Sequence, residues 1–212
     1  AGAGVGTQGT TFMASISENN WLGKGVNLVS ALNLSEESVS GNISVINPNY
    51  KFTGNSVSMS LDLSSTDRTE STGFKSSRSG FSLGTAFEQY ENIWLTPSIS
   101  IVHEEIQSEA TASKQIKSMD GSYFNADFTY GAKLDKRNQR FKPTEGFLSE
   151  FYQSLPLIQD SSSIMNGFDI RAYNDFSEDL IGSLKVYART IHGLDDDVRL
   201  TNRLYIPRNN LR

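Results

Sequence analysis

The sequence predicts an all-β fold: an up-and-down antiparallel meander of the kind that closes into a transmembrane β-barrel. Three observations predict it. Apolar and polar residues alternate with period two along most of the chain. Gly, Asn and Pro recur between these segments at hairpin spacing. No apolar run approaches the roughly 18 residues that a membrane helix needs, whereas a barrel strand needs only about 9–11.

The alternation is explicit. Val26, Leu28, Leu32 and Leu34 fall on one face, with Asn27 and Asn33 on the other. Val39, Ile43 and Val45 oppose Ser40, Asn42 and Ser44, and Val57, Met59, Leu61 and Leu63 oppose Ser56, Ser58, Ser60 and Asp62. Phe81, Leu83 and Phe87 repeat the pattern, as do Phe124, Phe128 and Tyr130, and then Leu184, Val186 and Ala188. A helix would space its apolar residues by three and four, and no stretch of useful length does so. The segments amount to about eleven strands. They lie at 2–8, 10–20, 25–35, 38–47, 55–68, 76–89, 92–106, 121–137, 146–156, 165–176 and 180–192.

The connections are expected to alternate in character. Short turns are read at Asn20 to Gly25, Asn47 to Tyr50, Gln89 to Asn92, Lys142 to Gly146 and Glu178-Asp179. Longer polar loops are read at Ser64 to Arg78, Glu104 to Gly121 and Gln159 to Asn166. Short turns at one end and long loops at the other are the pattern of outer-membrane barrels. Trp21, Tyr50, Phe52, Tyr90, Trp94, Phe141, Phe147 and Phe176 cluster near the short turns. They suit an aromatic girdle between lipid and water; in a soluble β-sandwich the same rings would fill a core.

Composition narrows the function classes. Only 37% of the 212 residues are hydrophobic, yet 10% are aromatic, a mixture that suits strands with one apolar and one wet face. The net charge of −5 argues against a nucleic-acid partner. Cysteine is absent, which leaves no disulfide framework and no thiolate chemistry. The chain opens at Ala1 without an initiator Met or a signal peptide, and it reads as a piece of a longer protein.

No catalytic constellation emerges, and no enzyme, cofactor or metal is expected. His103 and His192 have no second ligand at metal spacing. Glu104 and Glu105 are adjacent on a strand, so they point to opposite faces and cannot share a substrate. Asp195-Asp196-Asp197 offers oxygen ligands for calcium but reads more simply as a solvated loop. Gly2-Ala3-Gly4-Val5-Gly6 lacks the Lys and helix of a phosphate loop and reads as a glycine-rich strand.

One segment stands out. Leu134 to Gly146 packs charge, Pro143 and Gly146 into a turn between aromatic strands. Its Asp135-Lys136-Arg137 and Pro143-Thr144-Glu145-Gly146 resemble the D-x-R and P-x-x-G turn of the BamA-like outer-membrane assembly family. Asn20-Trp21-Leu22-Gly23-Lys24-Gly25 resembles the family's N-W-L-G-x-G turn, and Asn47-Pro48 its T-N-P-Y turn. The closing run, with Leu211 and Arg212, resembles the approach to its [VL]-R-G-[FY] loop motif.

The resemblance implies that residues 1–212 carry the first eleven or so strands of a barrel of about sixteen, and the start of the sixth extracellular loop. The last strands and the periplasmic POTRA domains would lie outside the chain. It implies a Gram-negative outer membrane, unfolded outer-membrane protein clients, the lipid bilayer, and accessory lipoproteins reached through the periplasmic domains. It implies insertion through a lateral gate, where a client strand adds to the first barrel strand. Here that strand is Gly2, Gly4, Gly6 and Gln8 with their neighbours. Its glycines either weaken the strand, as a gate requires, or permit a tight bend. A TamA-like or two-partner secretion pore of the same superfamily and a passive porin are the alternatives.

Overall fold

The computed structural model describes residues 1–6, 9–70, 73–110, 112–160, 162–177, 180–194, 198 and 202–204. Gln8, the Glu178-Asp179 turn, Asp195 to Asp197, Leu211 and Arg212 lie outside the described residues.

Twelve strands follow one another as an antiparallel meander. They are β1 (Gly2–Gly6), β2 (Gly9–Trp21), β3 (Val26–Ser35), β4 (Ser38–Asn47), β5 (Ser56–Arg68) and β6 (Phe74–Tyr90). β7 (Ile93–Leu95), β8 (Ser98–Ser108), β9 (Gly121–Asp135), β10 (Gly146–Gln159), β11 (Ser163–Ser177) and β12 (Leu180–Gly193) complete the order. Helical turns lie at Tyr50–Phe52, a 3-10 turn, and at Lys114–Lys117.

The expected strand 92–106 is two strands, which corrects the number from eleven to twelve. The reason is Pro97, which has no N–H to give to a ladder and fixes its own φ. The chain leaves register there: Thr96 N–H donates to the Gly131 carbonyl at 2.9 Å, and β8 resumes at Ser98 against β6.

The expected division into short turns and long loops is also corrected. Of the expected 64–78 loop, Ser64–Arg68 and Phe74–Arg78 are strand, and of the expected 159–166 loop, Gln159 and Ser163–Asn166 are strand. Polar residues had suggested loops, but a ladder needs only backbone groups. The polar strand ends are tied across by Arg68–Glu37 at 3.4 Å and Lys75–Asp67 at 3.7 Å. Two connections stay long, the one between β8 and β9 and the one between β9 and β10, of which the second was expected as a short turn at Lys142 to Gly146; in the first, Ser113 caps a helical turn, and Asp120 accepts from the Ser108 N–H and hydroxyl.

The chain forms two compact units. Unit one comprises Ala1–Thr85, Ser98–Ala126 and Ile158–Asp160; unit two comprises Ala86–Pro97, Asp127–Leu157 and the described part of Ser161–Arg212.

Register sorts the faces of unit one. Leu34 opposes Val39, Leu32 opposes Gly41, and Leu28 opposes Val45. The same face continues through Gly41↔Leu63, Ile43↔Leu61 and Val45↔Met59, and recurs at Phe81↔Ile101 and Leu83↔Ile99. This apolar face is bare: Leu63 is 62% exposed and Leu83 48%. The opposite face is polar and bonded to itself. Asn42 donates to Asp62 at 2.6 Å, and the Ser60 and Ser82 hydroxyls lie 2.8 Å apart. Glu104 is 5% exposed and Asn125 6%. Glu105, beside Glu104, is exposed, as strand alternation requires.

Unit two repeats the arrangement. Phe151 opposes Phe168, which opposes Ala188, and Ile170 opposes Val186. Phe151 stacks at 6.3 Å from Tyr130, which stacks at 6.3 Å from Phe128. Among the described residues the buried apolar side chains are Ile106, Ala112, Ala126 and Leu148, which is no core for a soluble chain of this size. A contiguous exposed apolar face marks a membrane or a partner. The sheet is inverted relative to a soluble sandwich, whose apolar faces meet each other.

Charge placed on the two faces is therefore expected to act oppositely. Leu61→Arg should destabilise the protein in a bilayer by about 2–4 kcal/mol, and Ser58→Arg on the other face should cost far less. Denaturant unfolding from vesicles measures both; equal costs would contradict the assignment of faces.

Candidate strand edge and its turns

β1 and β12 end the hydrogen-bonded order, so each offers an edge. β1 is short. Five residue pairs, from Gly2↔Met13 to Gly6↔Gly9, hold it to β2. Val5 is 86% exposed. Neither Gly2 nor Gly4 adopts positive φ. A Cβ at Gly2 would meet nothing within 4 Å, and one at Gly4 would make only an ordinary 3.4 Å contact with Thr11 Oγ1. The backbone of β1 thus demands glycine at neither position. Gly9, which opens β2, differs: its φ is +84°, a Cβ there would overlap the Glu36 carboxylate, and Glu36 accepts from the Thr10 N–H at 3.0 Å.

The turns of unit one are tightly built. Leu22 and Gly23 have φ of 55° and 70°, and Lys24 N–H donates to the Trp21 carbonyl at 3.2 Å. Both residues lie in the left-handed region, within a four-residue link between the paired Trp21 and Val26. The Asn20 side chain accepts from the Gly25 N–H at 2.7 Å, which explains the Asn at its start. At the next turn Asn47 Oδ1 accepts from the Asn49 N–H at 3.1 Å, across Pro48. Asn49 in turn accepts from the Gly54 N–H at 2.8 Å. Lys51 and Phe52 are held at positive φ there.

In unit two the Asp135–Gly146 turn is a clamp. Arg137 Nε and Nη2 donate to the two Asp135 carboxylate oxygens at 2.9 and 2.8 Å, a bidentate pair with both side chains largely covered. The bond to Asp135 raises the guanidinium pKa above its ordinary range. Asn138 organises the tip: its Oδ1 accepts from the Thr144 N–H at 3.2 Å and the Glu145 N–H at 3.4 Å, and its Nδ2 donates to Thr144 Oγ1 at 2.7 Å. Pro143 sits within this loop, directly after Lys142, whose φ is 47°. Gly146 has φ of 89°, and a Cβ there would overlap the Lys136 carbonyl oxygen and stand 3.0 Å from Arg137 Cα. Glycine is required there by conformation and by space.

Structure brings together the members of each turn that sequence singled out: Asn20 with Gly25, Asn47 with its own turn, Asp135 with Arg137 and Gly146. Sequence reading passed over Asn138 and a charged row on the polar face of unit two. In that row Arg189 pairs with Asp169, and its guanidinium lies 5.2 Å from the Tyr152 ring centre. Tyr152 lies over Gly167, where any Cβ would overlap the ring. Lys133 pairs with Glu150 at 3.5 Å. The signal was present as charges two apart, Asp169 and Arg171 on β11, and four apart, Lys185 and Arg189 on β12.

Two glycines separate strain from space. Gly23→Ala should cost about 1–2 kcal/mol, the left-handed penalty alone, since nothing crowds it. Gly146→Ala should cost clearly more, because the clash with Lys136 adds to it. Asp135→Ala should cost about 1.5–3 kcal/mol through the lost charged hydrogen bonds. Urea unfolding of the refolded variants ranks all three; a Gly146 variant no worse than the Gly23 variant would refute the geometry.

No curated protein matches this chain. Among solved structures the fold resembles that of BamA from Haemophilus ducreyi lacking POTRA domains 1–3, at a TM-score of 0.70 and 20% identity. The likeness covers 89% of this chain and 39% of that one, so the chain spans about two fifths of the relative's length. Residues 20–207 match the Omp85 superfamily domain, and the chain belongs to that superfamily.

Proposed function

We propose that residues 1–212 form the leading part of an outer-membrane barrel that inserts client β-barrel proteins, with β1 as the strand at which clients join. Membership of the Omp85 superfamily points to outer-membrane protein insertion or a related superfamily function, and to the bacterial outer membrane. On this reading the bare apolar face meets lipid. The turns at Asn20–Gly25, Asn47-Pro48 and Asp135–Gly146 face the periplasm. The seam with the final strand, the loop arginine Arg212 with Leu211, and the accessory lipoproteins belong to the whole protein.

The observation that carries the proposal is β1. It is a five-residue, exposed edge strand, and the glycines at 2 and 4 are required neither by φ nor by crowding. Glycine in a strand weakens it, since it has no side chain to pack and more entropy to lose. A weak edge leaves backbone N–H and C=O groups open to an incoming strand by β-augmentation. The tight-bend explanation draws no support from these two backbones.

Gly4→Val in the full-length protein tests this. A gate predicts a barrel stabilised by up to about 1 kcal/mol and slower client insertion. A glycine kept for a bend predicts a destabilised barrel instead. In a secretion pore of the same superfamily, stiffening β1 leaves transport unchanged. A photo-crosslinking residue at Val5 should capture client β-barrels, while the same residue at Leu61 on the apolar face should not. Capture from both positions alike would defeat the proposal. Arg212→Ala should depress outer-membrane protein levels more than Arg137→Ala, with equal effects sinking that ranking.

A further inference from the structure

Two turns hold a phenylalanine out of the fold. Phe52 is 94% exposed and Phe141 90%, the highest values among the large apolar side chains of the described residues. Phe52 lies in the link between β4 and β5, and Phe141 in the link between β9 and β10. Each has a lysine beside it in the left-handed region, Lys51 at φ of 51° and Lys142 at 47°, and Phe52 itself is at 59°. That region is costly for a bulky side chain. Strain that a fold keeps points to a use. Here it is fixed by local bonds: Thr53 Oγ1 donates to the Tyr50 carbonyl at 2.7 Å, and Gln139 Nε2 donates to the Lys142 carbonyl at 2.7 Å.

Cations accompany both rings. Lys51 Nζ lies 5.3 Å from the Tyr50 ring centre, and Arg140 and Lys142 flank Phe141. None of these three cations has a carboxylate partner among the described residues, whereas Lys133, Arg137 and Arg189 are all paired. Position completes the pattern. The apolar row of β5 runs from Leu63 to Val57, which opposes Asn47, and the Tyr50–Phe52 turn follows. On β9 the apolar row ends at Leu134, opposite Ile93, and the Phe141 turn follows. Each tip stands past the end of a bare apolar row, at the level where hydrocarbon gives way to headgroups.

We propose that the two turns are anchors for anionic phospholipid at the membrane surface. Phe52 and Phe141 enter the interface among the glycerol esters, and Lys51, Arg140 and Lys142 bind the phosphates. A protein partner is the weaker fit. Protein interfaces are depleted in lysine, and the same device stands in both units, which suits an occupant that surrounds the protein. The unpaired cations select anionic over zwitterionic lipid, since each cation at an anionic surface gives roughly a five-fold gain in occupancy. The inference rests on the membrane reading of the apolar face.

Phe52→Trp and Phe141→Trp keep an aromatic ring and report its depth. Each would be made in the full-length protein, reconstituted in phosphatidylcholine vesicles with a minor fraction of phosphatidylglycerol. The emission each adds to that of the parent should be quenched several-fold more by a lipid nitroxide near the glycerol than by one deep in the acyl chain. Leu61→Trp should show the reverse order. Added emission at 52 and 141 open to aqueous iodide, with Leu61→Trp still quenched from the acyl chain, overturns the anchors and leaves the membrane reading standing. Leu61→Trp open to iodide overturns the membrane reading itself. Electron spin resonance of spin-labelled lipids tests the charge. The parent should hold phosphatidylglycerol several-fold over phosphatidylcholine. Lys51→Gln combined with Arg140→Gln and Lys142→Gln should cut that preference several-fold, while Lys75→Gln, whose lysine is paired with Asp67, should not. An unchanged preference in the triple variant overturns the phosphate contact. Inorganic phosphate exchanged for chloride at equal ionic strength should leave the preference intact; its loss would make these sites for free phosphate and overturn the lipid.

Discussion

A strand shows its side chains to alternate faces, and in this protein the two faces have exchanged their usual destinations. The polar rows bond among themselves, through Asn42 to Asp62, Ser60 to Ser82, Lys133 to Glu150 and Arg189 to Asp169. The apolar rows from Leu32 to Leu83 are left bare. In water such a face is a liability, at roughly 25 cal/mol for each square ångström of apolar surface. In hydrocarbon that cost vanishes, and what holds the sheet is the backbone ladder, whose groups cannot be left unpaired there. The small set of buried apolar side chains among the described residues, Ile106, Ala112, Ala126 and Leu148, accords with this constraint.

The same constraint sets the contrast between turns and edge. Because the ladders must stay in register, the turns that fix register are specified atom by atom. Lys24 N–H closes on the Trp21 carbonyl, Asn138 draws Thr144 and Glu145 inward, and Gly146 admits no side chain beside Lys136. A slip of one residue would send every apolar side chain to the wet face. β1 is the exception: five residues long, glycine-rich and open along one side. The turns are thus fixed by side-chain and backbone bonds, whereas five residue pairs hold β1 to β2.

Much of this was legible in the residues. Alternation identified the strands because period two has one structural meaning over so many segments. The turn residues were legible for the same kind of reason: Asn20, Asn47, Gly23 and Gly146 each answer a local geometry that few residues satisfy. Polarity is a poor guide to irregular backbone in this sheet. Ser64 to Arg68 and Lys75 to Arg78 are strand, because their pairing is made by the backbone and their side chains only have to be compatible with water. Pro97 was in plain view, yet its effect depends on whether Thr96 has another acceptor to reach, and that acceptor, Gly131, is far along the chain.

Alternation and turn residues set the all-β class, the faces and several of the reversals, because these depend on neighbours a few positions apart. Which rows lie side by side was settled by the folded sheet alone. It joined Tyr152, Gly167, Asp169 and Arg189 into one packed group, and it set Gly41 between two leucines. It also left Gly2 and Gly4 of β1 without a steric reason. Those outcomes are fixed by cross-strand register, which couples residues distant in sequence and leaves no local trace in it.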